Sequence, residues 1–223
     1  MELRTYPLGP LQSNLYMIAF GIDAFIIDPS VPVDILDVSG YRIRGIFCTH
    51  SHYDHIAEAE NMRKQTGAIV LAHESECEFL MDPSKNTALS FGFPKRPVSA
   101  PVCGLKDGDI LTAADFEFAS DESFTIGVIH TPGHTKGSMC LLFEVKTGSR
   151  KGMYLFSGDT VFAGTVGRAD LGGDMGDMMR SVARLKQLPD DVTVYPGHGQ
   201  STSIGAEKRD NPYFTAGNGD DII

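Results

Sequence analysis

The sequence contains no run of eighteen apolar residues, so we expect no membrane-spanning segment. Its first seven residues lack the basic and apolar blocks of a secretion signal, which favours a cytoplasmic protein. The four cysteines include no Cys-x-x-Cys pair, so we expect reduced thiols rather than a thiolate metal site. Basic residues number 19 against 29 acidic ones, and the net charge of -10 argues against a nucleic-acid partner.

The remaining composition is ordinary for a globular protein, with 42% hydrophobic and 22% charged residues. A chain of 223 residues is long enough to bury one core, and we predict a single domain spanning residues 1–223. Short strand-like segments dominate, and helical segments lie between them. A strand, a helix and a strand follow one another near residue 60, which favours a fold that mixes both element types.

Hydrophobic periodicity and turn residues predict the individual elements. Strands are predicted at 15–20, 24–27, 43–48, 68–72, 124–129, 138–145, 153–156 and 192–195. Helices are predicted at 56–66, at 75–81 with Ser75 as the cap, and at 174–188. In the last helix we expect Met175, Met178, Met179, Val182 and Leu185 to share one core-facing side. Residues 82–104 are rich in proline, and we expect a long loop that covers a site or contacts a second subunit.

The strongest chemical signal is the segment Thr49-His50-Ser51-His52-Tyr53-Asp54-His55. It places three of the chain's seven histidines and one carboxylate within six residues. Imidazole and carboxylate are the ligands that zinc and iron prefer. His50 and His52 alternate, so in extended backbone they point the same way. The segment therefore predicts a metal site in which one pair of residues faces one ion and the other pair faces a second.

Three more candidate ligands each follow a predicted strand and lie beside a glycine. They are His134 in Thr-Pro-Gly-His-Thr, Asp159 in Ser-Gly-Asp-Thr and His198 in Tyr-Pro-Gly-His-Gly. Glycine permits the sharp turn and close backbone approach that metal ligation requires. Their shared pattern adds them to the predicted site. His73 and His130 also end strands, but we assign neither of them to a metal.

Together these four blocks resemble the metallo-β-lactamase superfamily over residues 14–214. The resemblance implies an α+β fold, a four-layer αββα sandwich with the site at one edge between two sheets. It implies that His50, His52 and His134 hold a first metal and that Asp54, His55 and His198 hold a second. Asp159 would bridge both. The implied cofactors are two divalent metal ions, with zinc preferred and iron or manganese as alternatives.

Within this superfamily the chain is most similar to the glyoxalase II-like branch of hydroxyacylglutathione hydrolases. The Asp-His pair and the bridging Asp159 are intact, and the segment 164–170 resembles a branch segment whose basic residue meets the substrate's carboxylate. Arg168 would be that residue, although an ion pair with Asp170 is the alternative. Tyr53 is expected to border the opening. Only about 25 residues follow His198, which resembles the short single-domain subgroup.

The resemblance implies a hydrolase that cleaves a thioester such as S-lactoylglutathione by attack of a metal-bound hydroxide. Asp54 would orient this hydroxide, and the partner would be a small molecule. One alternative is a persulfide dioxygenase with a single iron on His50, His134 and Asp159, a 2-His-1-carboxylate set. Another is a lactonase or a lactamase of the same superfamily. The sequence does not specify the exact substrate beyond a thioester, the metal bound in the cell or the oligomeric state.

Overall fold

Six strands in the first half of the chain form one sheet, in sequence order. The structure is a computed structural model that describes residues 1–94, 97–99, 102–118, 123–147 and 150–215. The six strands are β1 Glu2–Tyr6, β2 Leu15–Phe20, β3 Asp23–Ile27, β4 Arg42–Phe47, β5 Ile69–His73 and β6 Cys103–Leu105. The first three strands are antiparallel, and β3 to β6 run parallel to one another. The carboxyl ends of β3 to β6 therefore meet at one edge.

A second six-stranded sheet follows, in the order β14-β13-β10-β9-β8-β7. Its first four strands in the chain are β7 Ile110–Thr112, β8 Ser123–His130, β9 Met139–Thr147 and β10 Arg150–Gly158. A two-stranded ribbon comes next, made of β11 Val161–Phe162 and β12 Thr165–Val166. The sheet is completed by β13 Thr193–Pro196 and β14 Thr202–Ser203. Because β10 and β13 run parallel, their carboxyl ends also meet at one edge.

In the described ranges, six α-helices pack on the two sheets. They are α1 Tyr53–Ile56, α2 Ala59–Thr66, α3 Cys77–Met81, α4 Met175–Leu185, α5 Ile204–Asp210 and α6 Pro212–Thr215. Asp174 caps α4, because its side chain accepts a hydrogen bond from the Asp177 amide at 2.8 Å. None of the helices in the described ranges has the length and hydropathy needed to cross a membrane.

Three separate hydrophobic clusters show the layer order. In β2, Leu15 and Met17 face a cluster shared with α1, α2 and α3, whereas Tyr16 and Ile18 face a cluster between the two sheets. The third cluster joins the far face of the second sheet to α4, α5 and α6. Alternate side chains of a strand point to opposite faces, so a strand covered on both sides is apolar throughout. Three interlayer cores require four layers, which confirms the expected αββα sandwich.

Several local predictions were wrong in detail. The helix predicted at 56–66 is two helices, because the backbone breaks at Glu58, whose φ of -116° is not helical. Ser75 does not cap the next helix. Instead, the His73 side chain accepts a hydrogen bond from the Ser75 amide at 3.3 Å. Met175 is 44% exposed at the first turn of α4, so it does not share the buried side with Met178.

Candidate metal centre

The seven candidate ligands come together at one edge of the sandwich because each follows the end of a strand. His50 comes shortly after β4, His134 after β8, Asp159 directly after β10 and His198 directly after β13. Tight backbone contact brings the last two loops together. The Gly197 amide donates to the Gly158 carbonyl at 2.8 Å, and a Cβ on Gly197 would lie only 2.1 Å from Oδ1 of Asp159. Glycine at 197 is therefore required by the approach of the Asp159 carboxylate.

The ligand atoms of these seven residues form three groups, some of which share a residue. Within each group, all ligand atoms lie within 4.8 Å of one another. The groups are His50, His52 and His134; His50, His55 and Asp159; and Asp54, His55 and His198. Imidazole nitrogen and carboxylate oxygen form a donor set that suits zinc, iron or manganese. We call the first of these groups the histidine set and the third the mixed set. Asp159 lies between the two sets.

Asp159 faces both sets with its two oxygens. Its Oδ2 lies 3.4 Å from Nε2 of His134 and 3.7 Å from Nε2 of His198. Its Oδ1 lies 3.4 Å from Nε2 of His55. In the mixed set, Nε2 of His198 lies 3.2 Å from Oδ2 of Asp54. A carboxylate that contacts ligands of both sets can serve two cations at once.

The histidine set is held from outside by hydrogen bonds that determine which ring nitrogen is free. His134 donates from Nδ1 to the Arg168 carbonyl at 2.6 Å, which leaves the lone pair of Nε2 for a metal. His52 donates from Nε2 to the Leu171 carbonyl at 3.3 Å, which leaves Nδ1. Nδ1 of His50 lies 3.0 Å from the Thr49 hydroxyl, which leaves Nε2.

Three buried polar atoms at the centre have no hydrogen-bond partner in the described part of the chain. They are Nε2 of His50, Nε2 of His134 and Oδ1 of Asp159. Buried polar groups are nearly always paired, because an unpaired one keeps its full cost of desolvation. All three atoms are good metal donors, so a bound cation would satisfy them. The residues present therefore fit the metal that this donor chemistry implies.

Burial also keeps two imidazoles of the histidine set, those of His50 and His52, in the form that binds metal. It lowers the pKa of His52 to about 4 and lowers the pKa of His50 well below its usual range. At neutral pH both rings are therefore neutral and offer a lone pair. Burial alone would raise the pKa of Asp159, but His55 and the other nearby histidines outweigh it and lower that pKa, so the carboxylate is ionised.

His55 behaves differently from the other histidines because it faces three carboxylates. Burial would lower its pKa, but Asp159, Asp54 and Asp28 outweigh burial and raise the pKa well above its usual range. Asp54 and Asp159 lie 3.5 Å and 3.4 Å from Nε2 of His55, so they stabilise positive charge at that atom. A metal cation placed there would be stabilised by the same carboxylates.

Asp28 is a supporting residue that the sequence reasoning did not include in the site. Its buried carboxylate accepts from the Thr49 amide at 2.8 Å, from the Thr49 hydroxyl at 2.9 Å and from Nδ1 of His55 at 3.0 Å. It has a φ of 52°, a conformation unusual for a residue other than glycine. Asp28 directly follows β3, so the signal that identified Asp159, a polar residue at a strand end, could have found it.

A cavity of about 310 Å³ opens above the donor sets. Its floor and sides are formed by Leu11, His52, Asp54, Thr87, Phe91, His134, Asp159, Phe162, Arg168, Leu171 and His198. Thr87 and Phe91 belong to the proline-rich segment 82–104. Part of this segment therefore covers the site, which is one of the two roles expected for it. Phe91 and Leu11 are 47% and 61% exposed, which makes the mouth of the cavity apolar.

The two predicted substrate residues lie in different surroundings. Tyr53 does not line the cavity. Its ring is buried and stacks on Phe93 with 4.8 Å between ring centroids, so the segment 82–104 covers it and it does not border the opening as expected. Arg168 does line the cavity, but its guanidinium makes a bidentate pair with Asp170, at 2.5 Å for both contacts. The ion pair with Asp170, which was the alternative to a substrate contact, is therefore present.

The two remaining histidines pack on each other. The rings of His73 and His130 are stacked, with centroids 3.9 Å apart and planes 7° apart. Nε2 of His130 donates to the Lys136 carbonyl at 2.9 Å. Neither residue belongs to any of the three donor groups found in the described ranges.

Comparison with known proteins agrees with the fold. An uncharacterised protein of Mycobacterium leprae is 35% identical over 227 residues, covering 96% of this chain and 99% of that protein. Hydroxyacylglutathione hydrolase GloC of Haemophilus influenzae is 29% identical, covering 97% of this chain and 99% of that protein.

Two solved structures match nearly the whole chain. The BLEG-1 B3 metallo-beta-lactamase superposes with a TM-score of 0.81 at 31% identity, covering 96% of this chain and all of that one. TTHA1623 in a di-iron-bound form superposes with a TM-score of 0.76 at 28% identity, covering 94% and 99%. The family model of the metallo-beta-lactamase superfamily matches residues 8–198. The chain therefore belongs to the metallo-beta-lactamase superfamily, a superfamily of metallo-hydrolases.

Proposed function

We propose that the protein is a hydrolase that cleaves thioesters with two divalent cations, preferably zinc. The observation that carries this proposal is the position of Asp159, whose two oxygens contact ligands of both donor sets beneath one cavity. The histidine set would hold one cation and the mixed set the other, with Asp159 shared. Two bound cations lower the pKa of a water between them and polarise the carbonyl oxygen of the substrate.

The side chains of the cavity account for the rest of the reaction. Asp54 lines the cavity beside His198 and can accept a hydrogen bond from the attacking water, which fixes the direction of its lone pair. Apart from Asp159 and the members of the donor sets, the titratable side chain among the described lining residues is that of Arg168, which does not give up a proton near neutral pH. A leaving group that needs no proton is therefore favoured. A thiolate meets this requirement, whereas the amine of a cleaved amide does not.

Arg168 suits a substrate that carries a carboxylate. Its guanidinium is at the cavity and exposed, so it can exchange the Asp170 carboxylate for one on the substrate without losing charge compensation. A glutathione thioester has such carboxylates on its leaving group. The similarity to hydroxyacylglutathione hydrolase GloC is in line with this substrate class. We therefore propose S-lactoylglutathione or a related glutathione thioester as the substrate.

The test is hydrolysis of S-lactoylglutathione by protein whose metal content has been measured, with glutathione persulfide oxidation run beside it. The proposal expects thioester cleavage that depends on the metal, with two cations per chain. Asp191 is exposed and belongs to none of the three donor groups of the described residues, so Asp191→Asn serves as the control for losses of protein or metal during preparation. Metal-loaded protein that cleaves neither this thioester nor shorter acyl thioesters would contradict the proposal.

A second candidate is a persulfide dioxygenase with one iron. The observation in its favour is that the three unpartnered buried atoms belong to His50, His134 and Asp159, two imidazoles and one carboxylate. This is the donor set of many mononuclear non-haem iron oxygenases. Oxygen uptake with glutathione persulfide, one iron per chain and no thioester cleavage would favour this candidate over the hydrolase.

A further inference from the structure

Glu76 is a buried carboxylate that belongs to none of the four motif blocks. It lies at the end of a short turn between β5 and α3, and it is 1% exposed. No Lys, Arg or His side chain of the described residues forms an ion pair with it. An ionised carboxylate in such a place must be stabilised by hydrogen bonds, because burying an unpaired charge is costly.

Three hydrogen bonds stabilise this carboxylate, and they come from two different loops. Oε2 accepts from the Ser51 amide at 2.9 Å. Oε1 accepts from the Thr135 hydroxyl at 2.8 Å and from the Gly137 amide at 2.8 Å. Glu76 is therefore a link between the loop after β4 and the loop after β8.

These two loops carry the whole histidine set. Ser51 lies between His50 and His52 in the chain, and Thr135 directly follows His134. The distance between the loops therefore determines how far Nε2 of His134 lies from the other two imidazoles. We propose that Glu76 is the residue that positions the histidine set, and so controls the affinity of the cation that this set holds.

The packing around Glu76 also supports this positioning role. A Cβ on Gly137 would lie 2.7 Å from Cγ of Glu76, so the close approach depends on glycine at 137. The Thr135 hydroxyl also lies 2.8 Å from the Ser138 hydroxyl, which holds Thr135 in place to donate to Glu76. Each oxygen of the carboxylate is thus occupied, and the loops cannot shift without breaking a bond to a charged group.

Glutamine is the informative substitution, because its size is the same and its acceptor capacity is halved. The amide has one oxygen and one NH₂ group, and the NH₂ group cannot accept from a backbone amide. Glu76→Gln therefore keeps the bonds to one loop and loses those to the other. This breaks the link while the side-chain volume is kept.

Glu207 provides a matched control. It is also a buried carboxylate, and it accepts from the Gly164 amide at 3.0 Å, the Thr202 hydroxyl at 2.6 Å and the Asn211 side-chain amide at 2.7 Å. None of these donors lies on the loops of the histidine set. Glu207→Gln should lower stability by a similar mechanism without changing the spacing of the imidazoles.

The experiment measures zinc affinity by competition with a chromophoric chelator. In a His198→Ala background, which leaves the histidine set, Glu76→Gln should weaken zinc binding about ten- to hundredfold, as is typical of residues that orient ligands. In a His134→Ala background, which leaves the mixed set, the same change should have little effect. Glu207→Gln should leave the affinity of the histidine set unchanged, and circular dichroism with thermal melting should show that all variants are folded.

The inference rests on the proposed metal centre and not on the proposed substrate. Unchanged zinc affinity in Glu76→Gln with His198→Ala would overturn it, as would an equal loss in Glu207→Gln. If the protein with its natural sequence bound no zinc, iron or manganese, the metal centre itself would fail. The two failures are therefore distinguishable.

Discussion

The two donor sets differ in how much of the protein supports them. Every ring of the histidine set is buried and is held from outside by a hydroxyl or a backbone carbonyl. In the mixed set, His55 is held by Asp28, but the side chains of His198 and Asp54 are 28% and 11% exposed. The histidine set is the rigid side of the centre, and the mixed set is the open side.

This difference has a consequence for how the centre is loaded with metal. A site whose ligands are already oriented loses less entropy when a cation binds. We therefore expect the histidine set to fill first and to hold its cation more tightly. The mixed set, which is open to the cavity, would hold the cation that exchanges more readily. Asp159 connects the two, so its loss affects both.

The largest effect is expected for Asp159→Asn, which removes the shared carboxylate from both sets at once. The neutral amide offers one oxygen and no compensating charge. We expect kcat/KM for the thioester to fall by more than about a hundredfold, beyond the loss typical of a residue that only orients a ligand. Metal content measured beside the kinetics should fall below that of the Asp191→Asn control. Near-normal activity would show that Asp159 is not shared.

The next largest effect is expected when one ligand is removed from either donor set, in the separate variants His134→Ala and His198→Ala. A ligand that binds only the folded state adds about 4 kcal/mol when its concentration is a thousand times its Kd, so tight zinc raises Tm. The rise in Tm on adding zinc should be mostly kept in His198→Ala and mostly lost in His134→Ala. Each variant is its own control, since its melting is measured with and without zinc. An equal rise in both would contradict the difference between the sets.

A smaller effect is expected for Asp28→Asn, because Asp28 orients ligands without contacting the metal. Its carboxylate bonds His55 directly and reaches His50 through the Thr49 hydroxyl. Zinc affinity should fall by about ten- to hundredfold for residues of this kind, and both steps of a zinc titration should be affected. A change confined to one step would show that the Thr49 contact does not transmit the effect.

The smallest effects are expected at the mouth, where both donor sets are left intact. Arg168→Ala should raise KM for a glutathione thioester, and Asp170→Asn should lower it by freeing the guanidinium. Both changes should stay within about fivefold, because exposed ion pairs contribute little. Initial rates at varied substrate concentration separate KM from kcat. The same two changes should leave a thioester without a carboxylate unaffected, and an effect on it would contradict charge recognition.

The strands and the candidate ligands could be predicted because their signals are local, whereas the four-layer sandwich was implied only by the resemblance of the motif blocks to a known superfamily. Four candidate ligands lie together in the segment His50–His55, and the other three each lie beside a glycine after a predicted strand. The structure brings all seven ligands together. The supporting residues could not be predicted in the same way. The partners of Glu76 are 25, 59 and 61 residues away in the chain, so no short pattern connects them.

The errors on single side chains also arise because a short sequence pattern does not show how distant parts of the chain pack together. Tyr53 lies within the ligand segment, yet its ring is turned into a cluster with Ala88 and Phe93 rather than towards the opening. Met175 has the spacing of a core residue, but it is exposed at the first turn of α4 and does not belong to the cluster that packs this helix on the second sheet. Periodicity predicts which side of a helix is apolar, and it does not predict where the packed surface ends.

The most direct test of the two-set centre is a zinc titration of metal-free protein against a chromophoric chelator, with bound zinc counted per chain. The account predicts two cations bound in two steps, the tighter step lost in His134→Ala and the weaker step lost in His198→Ala. A single cation per chain, or two steps that respond equally to both substitutions, would contradict it.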